Sequence, residues 1–242
     1  MKKLVIVLLL SLTGMANAQS PNFGIFKSVQ ATHDVDLETN PRAAFWHKAM
    51  PVYIVDDNMG NPTPRYRTEI RSRWTANNLY LLYVCPYQEL HLKPNPSTTT
   101  ETNQLWNWDV AEIFIGWDFQ HIRRYKEFEM SPQGEWVDLD IDLDNPHDTN
   151  GWKWNSGFQV STRIDRKRKI WYGAMRIPFS AIDPQAPQVG TTLRANMFRI
   201  QGPLSDRKLF AWQPTMSKTF HVPEFFGRLV LVDSHGKASS MP

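Results

Sequence analysis

The chain has 242 residues, and its 27 lysines and arginines against 24 aspartates and glutamates leave a formal charge of +3. This near-neutral balance argues against nucleic acid as a partner, because phosphate binding needs a concentrated basic surface. The single cysteine, Cys85, excludes an internal disulfide and a cysteine-based zinc site. It lies in an apolar run, which indicates a buried structural thiol.

The N-terminal segment has the pattern of a secretory signal. Lys2 and Lys3 precede an apolar run over residues 4–12, and small residues at 16–18 form a cleavage site after Ala18. The run is too short to cross a bilayer as a helix, and no cysteine follows it for a lipid anchor. We therefore expect a secreted or periplasmic monomer without a membrane anchor. The predicted organisation is a signal peptide at 1–18, one domain at 19–233 and a polar tail at 234–242.

The first half of the mature chain predicts short elements. Residues 43–49 suit one helical turn, 52–55 a short strand and 65–74 an alternating strand. Two asparagines at 77 and 78 then make a tight turn into the nearly continuous apolar run 79–87. The last two strands are therefore predicted to form a hairpin, with 79–87 in the centre of a sheet.

Two predicted strands carry a row of like charges. The strand at 65–74 has arginines on one face, and the strand at 137–144 has aspartates on one face. The arginines either form a ligand-facing stripe or, as we favour, pair with acidic residues across the sheet. The aspartates suggest a calcium loop, but no glycine follows Asp142 and no glutamate closes the loop, so a solvated or arginine-paired face is favoured. The residues concerned are Arg65, Arg67, Arg71, Arg73, Asp138, Asp140, Asp142 and Asp144.

The stretch from Trp106 to Trp136 contains two alternating runs separated by a charged turn. Because side chains alternate across a strand, each run has an apolar face and a face that carries glutamate beside aromatic rings. We predict two neighbouring antiparallel strands, with one side closing a core and the other facing a ligand. The core face holds Ala111, Ile113, Ile115, Trp117, Phe128 and Met130, and the opposite face holds Val110, Glu112, Phe114, Tyr125, Glu127 and Glu129.

The remaining chain adds short strands at 158–164, 170–177, 193–200 and 228–232, with a long loop before the last one. In total, nine or ten short strands are predicted, with no long amphipathic helix and no internal repeat. This pattern is typical of an all-β protein, and we predict an antiparallel β-sandwich.

Several spaced motifs resemble those of carbohydrate-binding module family 9. They are Trp106-x-x-Asp109-x-x-Glu112-Ile-Phe-Ile, Tyr125-x-x-Phe128-x-x-Ser131-x-x-Gly134, Arg176-Ile-Pro-Phe179 and Arg194-x-Asn196. The likeness extends from about Asp34 to Val232 and is strongest to stand-alone exported bacterial proteins. It implies a jelly-roll-like sandwich with structural Ca²⁺, and non-catalytic binding of a mono- or oligosaccharide that serves carbohydrate catabolism. In this family the sugar lies between two tryptophans.

The resemblance also implies roles for individual residues. Trp106 and Glu112 stand where the family places one stacking tryptophan and its acidic partner, and Asn196 stands where it has a sugar-binding asparagine. Arg199 occupies the position expected for the second tryptophan, so Trp212 or Trp154 would have to form the other wall. The calcium ligands do not map onto particular residues. The predicted ligand-binding set is Trp106, Glu112, Glu127, Asn196, Arg199, Trp212 and Trp154.

Four alternatives remain open. Trp106 could fold back over the core, and Glu112 could pair with an arginine of the 65–74 strand. Glu112 and Glu127 could instead be the carboxyl pair of a glycoside hydrolase, although nothing in the sequence indicates the enclosed cleft that a catalytic acid needs. A haem-binding DOMON-like sandwich would need axial ligands, and the seven histidines are scattered without ligand spacing.

Overall fold

The computed structural model describes residues 23–145 and 152–238, and its elements are almost all strands. Thirteen strands belong to one sheet, and the described helical segments are six turns of three residues each. None of these helical turns is long enough to cross a membrane. The strands are β1 (Ile25–Gln30), β2 (Val52–Ile54), β3 (Asp56–Asp57), β4 (Thr68–Trp74), β5 (Asn78–Pro86), β6 (Val110–Gly116), β7 (Arg124–Met130), β8 (Trp136–Asp142), β9 (Gln159–Asp165), β10 (Ile170–Pro178), β11 (Thr192–Gln201), β12 (Lys208–Ala211) and β13 (Gly227–Val232). The turns are Ala44–Trp46, Pro64–Tyr66, Leu105–Asn107, Phe179–Ala181, Leu204–Asp206 and Pro223–Phe225.

The main path through the sheet runs β8-β7-β6-β11-β13-β1-β4-β5-β10-β9. The short strands β2, β3 and β12 branch from this path. The prediction of an all-β fold is confirmed, but the purely antiparallel arrangement is wrong, because β1 lies parallel to both β13 and β4. The path curves into a nearly barrel-shaped sheet. A Cβ atom on Gly173 of β10 would collide with the side chain of Met130 on β7, so these two distant parts of the path face each other.

Apolar side chains fill the inside of the curved sheet and also cover parts of its outside. The inner cluster takes the core face predicted for β6 and β7, including Ile113 and Phe128. A separate outer cluster lies on the opposite face of β6, β7, β8 and β11, and includes Phe114, Ile141 and Phe198. The alternation predicted for the two glutamate-bearing strands is therefore confirmed within β6 and β7, and both of their faces are buried. Trp117 was wrongly placed on the core face, because it lies beyond the end of β6 and is 42% exposed.

The partners of the arginine row differ from the prediction, whereas those of the aspartate row agree with it. Arg73 donates to the backbone carbonyls of Val29 and Gln30, and Arg71 bonds Glu69 of its own strand at 2.6 Å. The prediction that the arginines pair with acids across the sheet is therefore wrong for these two. On β8 the charge-paired interpretation fits, because Lys126 and Arg124 of β7 bind Asp140 and Asp142 at 2.5 Å and 3.1 Å.

Candidate functional site

A pocket of about 410 Å³ opens on the outer face of the sheet, above the outer cluster. Its floor consists of side chains from β6, β7, β8 and β11, which are consecutive neighbours in the sheet. Residues from loops form part of its rim. The lining residues are Asn103, Gln104, Trp106, Glu112, Phe114, Glu127, Leu139, Ile141, Trp152, Ile200, Arg207, Leu209, Lys218, Thr219, Phe220 and His221. We call this the outer-face pocket.

Three glutamates meet beneath this pocket because two strands present them on one face. Glu112 of β6 lies directly opposite Glu129 of β7, and Glu127 is two residues from Glu129 on the same face. One oxygen of each carboxyl group lies within 4.8 Å of the other two. Their exposed fractions are only 1%, 3% and 0% for Glu112, Glu127 and Glu129. We call these residues the glutamate trio.

The trio is short of hydrogen-bond donors among the described residues. Both oxygens of Glu129, and one oxygen each of Glu112 and Glu127, are buried without a donor. Burial raises the pKa of all three carboxyl groups, and their mutual repulsion raises the pKa of Glu112 and Glu129 further. Three close carboxylates cannot all be ionised in such a site, so the trio holds protons well above the usual range of glutamate.

Arg207 and His221 lie beside the trio and add polar groups to the pocket. Attraction to Arg207 lowers the pKa of Glu112 and Glu129, although less than burial raises it, and among the described residues no salt bridge joins Arg207 to either carboxylate. His221 is fixed by a hydrogen bond of 2.7 Å between its Nδ1 and the hydroxyl of Tyr125, and it stacks on Phe114. The pocket therefore combines carboxyl groups, a cation and an imidazole around an aromatic base.

Two tryptophans border the same pocket. Trp106 is half-buried in the turn Leu105–Asn107, which packs against the outer cluster, so it is neither fully buried nor fully exposed. Gln104 holds a left-handed backbone with φ of 61° directly before this turn, a conformation that costs a non-glycine residue roughly 1–2 kcal/mol. Trp152 reaches the pocket from the loop after β8, where its carbonyl accepts the N–H of Asp140 at 2.8 Å.

A family model described as "Carbohydrate family 9 binding domain-like" matches residues 39–234. The chain belongs to this family. The match covers all the strands from β2 to β13, including every strand that contributes to the outer-face pocket.

Two solved structures share this fold at low sequence identity, and one further protein is similar in sequence. A Bacteroides uniformis protein, whose description as carbohydrate-binding is itself a proposal, aligns with a TM-score of 0.68 at 15% identity over 86% of this chain and 99% of that chain. A family 9 module from Caldicellulosiruptor kristjanssonii, solved with cellotriose, gives 0.62 at 14% identity over 90% of this chain and 100% of that chain. A protein named "Extracellular protein" from Arthroderma benhamiae is 24% identical over 189 residues, covering 73% of this chain and 84% of that protein.

Two residues that the family pattern suggested do not reach the pocket. Asn196 is fully buried, and its side chain bonds the backbone of Gln213 in both directions, at 2.8 Å and 3.0 Å. Arg199 lies on the opposite face of β11, where it is 0% exposed and donates to Thr68 and Gln201. The assignment of both residues to ligand binding is therefore corrected, since their polar groups are occupied inside the fold.

Neither of the tryptophans proposed for the second wall lines the pocket. Trp212 packs against the inner cluster, and a Cβ atom on Gly227 would lie only 2.5 Å from its ring, so the absence of a side chain there makes room for it. Trp154 packs near Phe128, with the ammonium of Lys126 4.5 Å from its ring centre. Trp152, which comes from the same loop as Trp154, is the second tryptophan that lines the outer-face pocket.

Family 9 implies structural calcium, and the described residues offer one carboxylate cluster against which to test that implication. Ca²⁺ takes six to eight oxygen ligands, whereas the glutamate trio supplies three carboxyl groups among aromatic and aliphatic neighbours. All three glutamates would have to bind through both oxygens to supply six ligands, so the trio alone does not complete a usual calcium site. Within residues 23–145 and 152–238, no histidine belongs to a group of three or more side chains that could hold a metal ion.

Proposed function

We propose that this protein binds a mono- or oligosaccharide in the outer-face pocket without turning it over. The observation that carries the proposal is that half-buried Trp106 and buried Glu112 line one pocket. A sugar ring has an apolar C–H face that an indole can cover, and hydroxyl groups that carboxyl oxygens can bond. Unpartnered oxygens of Glu112 and Glu127 are suited to accept those hydroxyls.

Trp152 replaces Trp212 and Trp154 as the proposed second wall of the site. Both Trp106 and Trp152 border the pocket, while Glu112, Glu127 and His221 supply its polar groups. The family 9 module from Caldicellulosiruptor kristjanssonii was solved with cellotriose and also with glucose, which supports soluble glucosides as first ligands to test. The name of the Arthroderma relative supports export. The predicted signal peptide lies outside the described residues, and we propose an exported monomer that serves carbohydrate catabolism.

Replacing Trp106 with alanine is expected to weaken cellotriose binding by about 10- to 100-fold, because it removes apolar contact with the sugar face. Glu112→Gln should also weaken binding, since the amide replaces one acceptor oxygen with a donor. Isothermal titration calorimetry with glucose and cellotriose measures both effects. Trp117→Ala is the matched control, because Trp117 is 42% exposed and lies outside the outer-face pocket. Unchanged affinity in both pocket variants would remove the proposed site.

A glycoside hydrolase is the second candidate, and the closeness of Glu112 and Glu127 favours it. Each offers an oxygen within 4.8 Å of the other, near the separation of about 5–5.5 Å in retaining enzymes. Both glutamates also line one pocket, although that pocket opens on the outer face of the sheet. A retaining mechanism needs one ionised carboxylate, however, and burial raises the pKa of both groups. We therefore expect no reducing sugar to be released from cellotriose, and release that Glu127→Gln abolishes would establish the enzyme instead.

A further inference from the structure

A second cavity adjoins the outer-face pocket and shares three of its lining residues. It has a volume of about 580 Å³, within the usual range for ligand sites. Arg207, Leu209 and Lys218 line both spaces, so the two lie side by side along β12 and the loop that follows it. The second cavity is therefore close enough to receive part of a ligand that is longer than one sugar ring and begins in the first pocket. The lining of the second cavity is Asp57, Asn58, Met59, Thr63, Pro64, Arg65, Tyr66, Arg207, Lys208, Leu209, Phe210, Ser217 and Lys218.

The second cavity carries an excess of positive charge. Four cationic side chains line it, namely Arg65, Arg207, Lys208 and Lys218, against the single carboxylate of Asp57. That carboxylate faces its own loop, where it accepts the backbone N–H groups of Met59 and Asn61 at 2.9 Å and 2.8 Å. It therefore does not neutralise the cations around the cavity by direct pairing.

Most of these cations have no acidic partner of their own. Lys208 pairs with Asp206 at 2.7 Å, but neither Arg65 nor Lys218 forms an ion pair with any residue that the structure describes. Arg207 stands between the two spaces, and its Nε and Nη2 are buried without an acceptor in the described chain. Buried donors without acceptors are costly, so these two N–H groups favour a ligand that brings oxygen atoms.

The cavity also offers an aromatic surface beside the charges. Tyr66 and Phe210 pack with ring centres 4.8 Å apart and an interplanar angle of 31°. Phe210 is buried and supports Tyr66, which is half-buried at the cavity wall. An aromatic ring next to a guanidinium suits a sugar that has an apolar face and an anionic group, because the guanidinium fork matches carboxylate geometry.

From these features we propose that the second cavity is a subsite for an anionic sugar unit. The ligand would be an oligosaccharide that carries a uronate carboxylate or a sulfate ester next to the unit held in the outer-face pocket. The assignment rests on the proposed function, because the neighbouring sugar anchors the anionic one. Arg207 would bind the charged group where the two spaces meet, with Arg65 and Lys218 on either side.

Calorimetry with three matched disaccharides tests the proposal: cellobiose, cellobiouronic acid and cellobiose 6′-sulfate. At low salt, an anionic form is expected to bind about 10-fold more tightly than cellobiose, since charge-assisted hydrogen bonds add to the contacts of the neutral sugar. The advantage should shrink in about 0.5 M salt, where screening acts over a few ångströms. A preference between carboxylate and sulfate would identify the source of the charge.

Arg65→Gln is the informative variant, because Arg65 is exposed, lines only the second cavity and can be replaced without disturbing the core. It should lower the ratio of cellobiouronic acid to cellobiose affinity, whereas Arg166→Gln in the exposed turn between β9 and β10 should leave the ratio unchanged. Equal binding of the neutral and anionic sugars would overturn this inference and leave the proposed function standing. Failure of all three sugars, together with glucose and cellotriose, would count against the proposed function itself.

Discussion

Replacing Arg199 with alanine is expected to lower the free energy of unfolding by about 3–5 kcal/mol, the usual cost of breaking a buried charged network. The Arg199 guanidinium donates to Thr68 Oγ1 at 2.8 Å, to the carbonyl of Pro86 at 3.1 Å and to Gln201 Oε1 at 2.8 Å. Gln201 in turn donates to buried Asp109 at 3.0 Å. Removal of the guanidinium would leave these acceptors without a donor and a space in the core.

Asp109 adds to the cost. Burial raises the pKa of Asp109, while hydrogen bonds from backbone N–H groups and attraction to Arg199 lower it. Without Arg199, one of the interactions that lower the pKa of Asp109 would be lost. Urea denaturation of the wild type and the variant gives the difference through the shift in midpoint.

Arg168→Ala is the control for this experiment. The Arg168 side chain is 65% exposed and its nearest carboxylate, Asp165, is 3.9 Å away, so the expected change is within about 0.5 kcal/mol. Arg199→Lys should fall between wild type and Arg199→Ala, because lysine keeps the charge but not the planar fork. A loss below about 1 kcal/mol in Arg199→Ala would mean that the acceptors find other donors.

The sequence predicted most strands because their patterns are local. The alternation in β6 and β7 follows from burial on the two faces of one strand, and it placed Glu112, Glu127 and Glu129 on a common face. The strand β1 was missed for a related reason. The apolar residue Ile25 of this strand is 60% exposed, whereas the polar residue Ser28 is fully buried and bonds Ser72 at 2.7 Å. A pattern of hydrophobic residues cannot indicate a strand whose polar residue faces the interior.

The candidate site was only partly predictable, because its rim comes from loops distant in the sequence. Trp152, Arg207 and His221 reach the pocket from three separate segments, and no local period links them to Glu112. The two nearby tryptophans at 152 and 154 were the one sequence feature that indicated an aromatic wall from this loop. The sequence did not show which of the two would face the pocket. Arg199 follows Phe198 in β11, so strand alternation puts the two side chains on opposite faces of the sheet. The sequence alone does not show which face of β11 is the outer one, so it could not place Arg199 inside.

The buried carboxyl groups should make stability fall as pH rises. Burial raises the folded pKa of Glu112, Glu127 and Glu129 above the ordinary value of 4.5. At pH values between 4.5 and the folded pKa, the folded state therefore binds more protons than the unfolded state. In this range the free energy of unfolding falls by about 1.4 kcal/mol per pH unit for each extra proton that the folded state binds. The loss should begin as the pH rises above about 4.5 and continue up to the folded pKa values of the trio, and Glu101, with a pKa raised to about 7, contributes in the same direction.

Glu129→Gln is expected to raise the unfolding free energy at pH 8 and to flatten the fall between pH 5 and pH 8. Glutamine is nearly the same size, carries no charge, and its amide can donate to Glu127 across the trio. Thermal unfolding followed by circular dichroism over this pH range measures both effects, and Glu89→Gln, at an exposed carboxyl, should match the wild type throughout. If the trio instead held a divalent cation, all three carboxylates would be ionised. Glu129→Gln would then lower stability at pH 8, and a chelator would reproduce that loss in the wild type, so the sign of this one change separates shared protons from a bound metal.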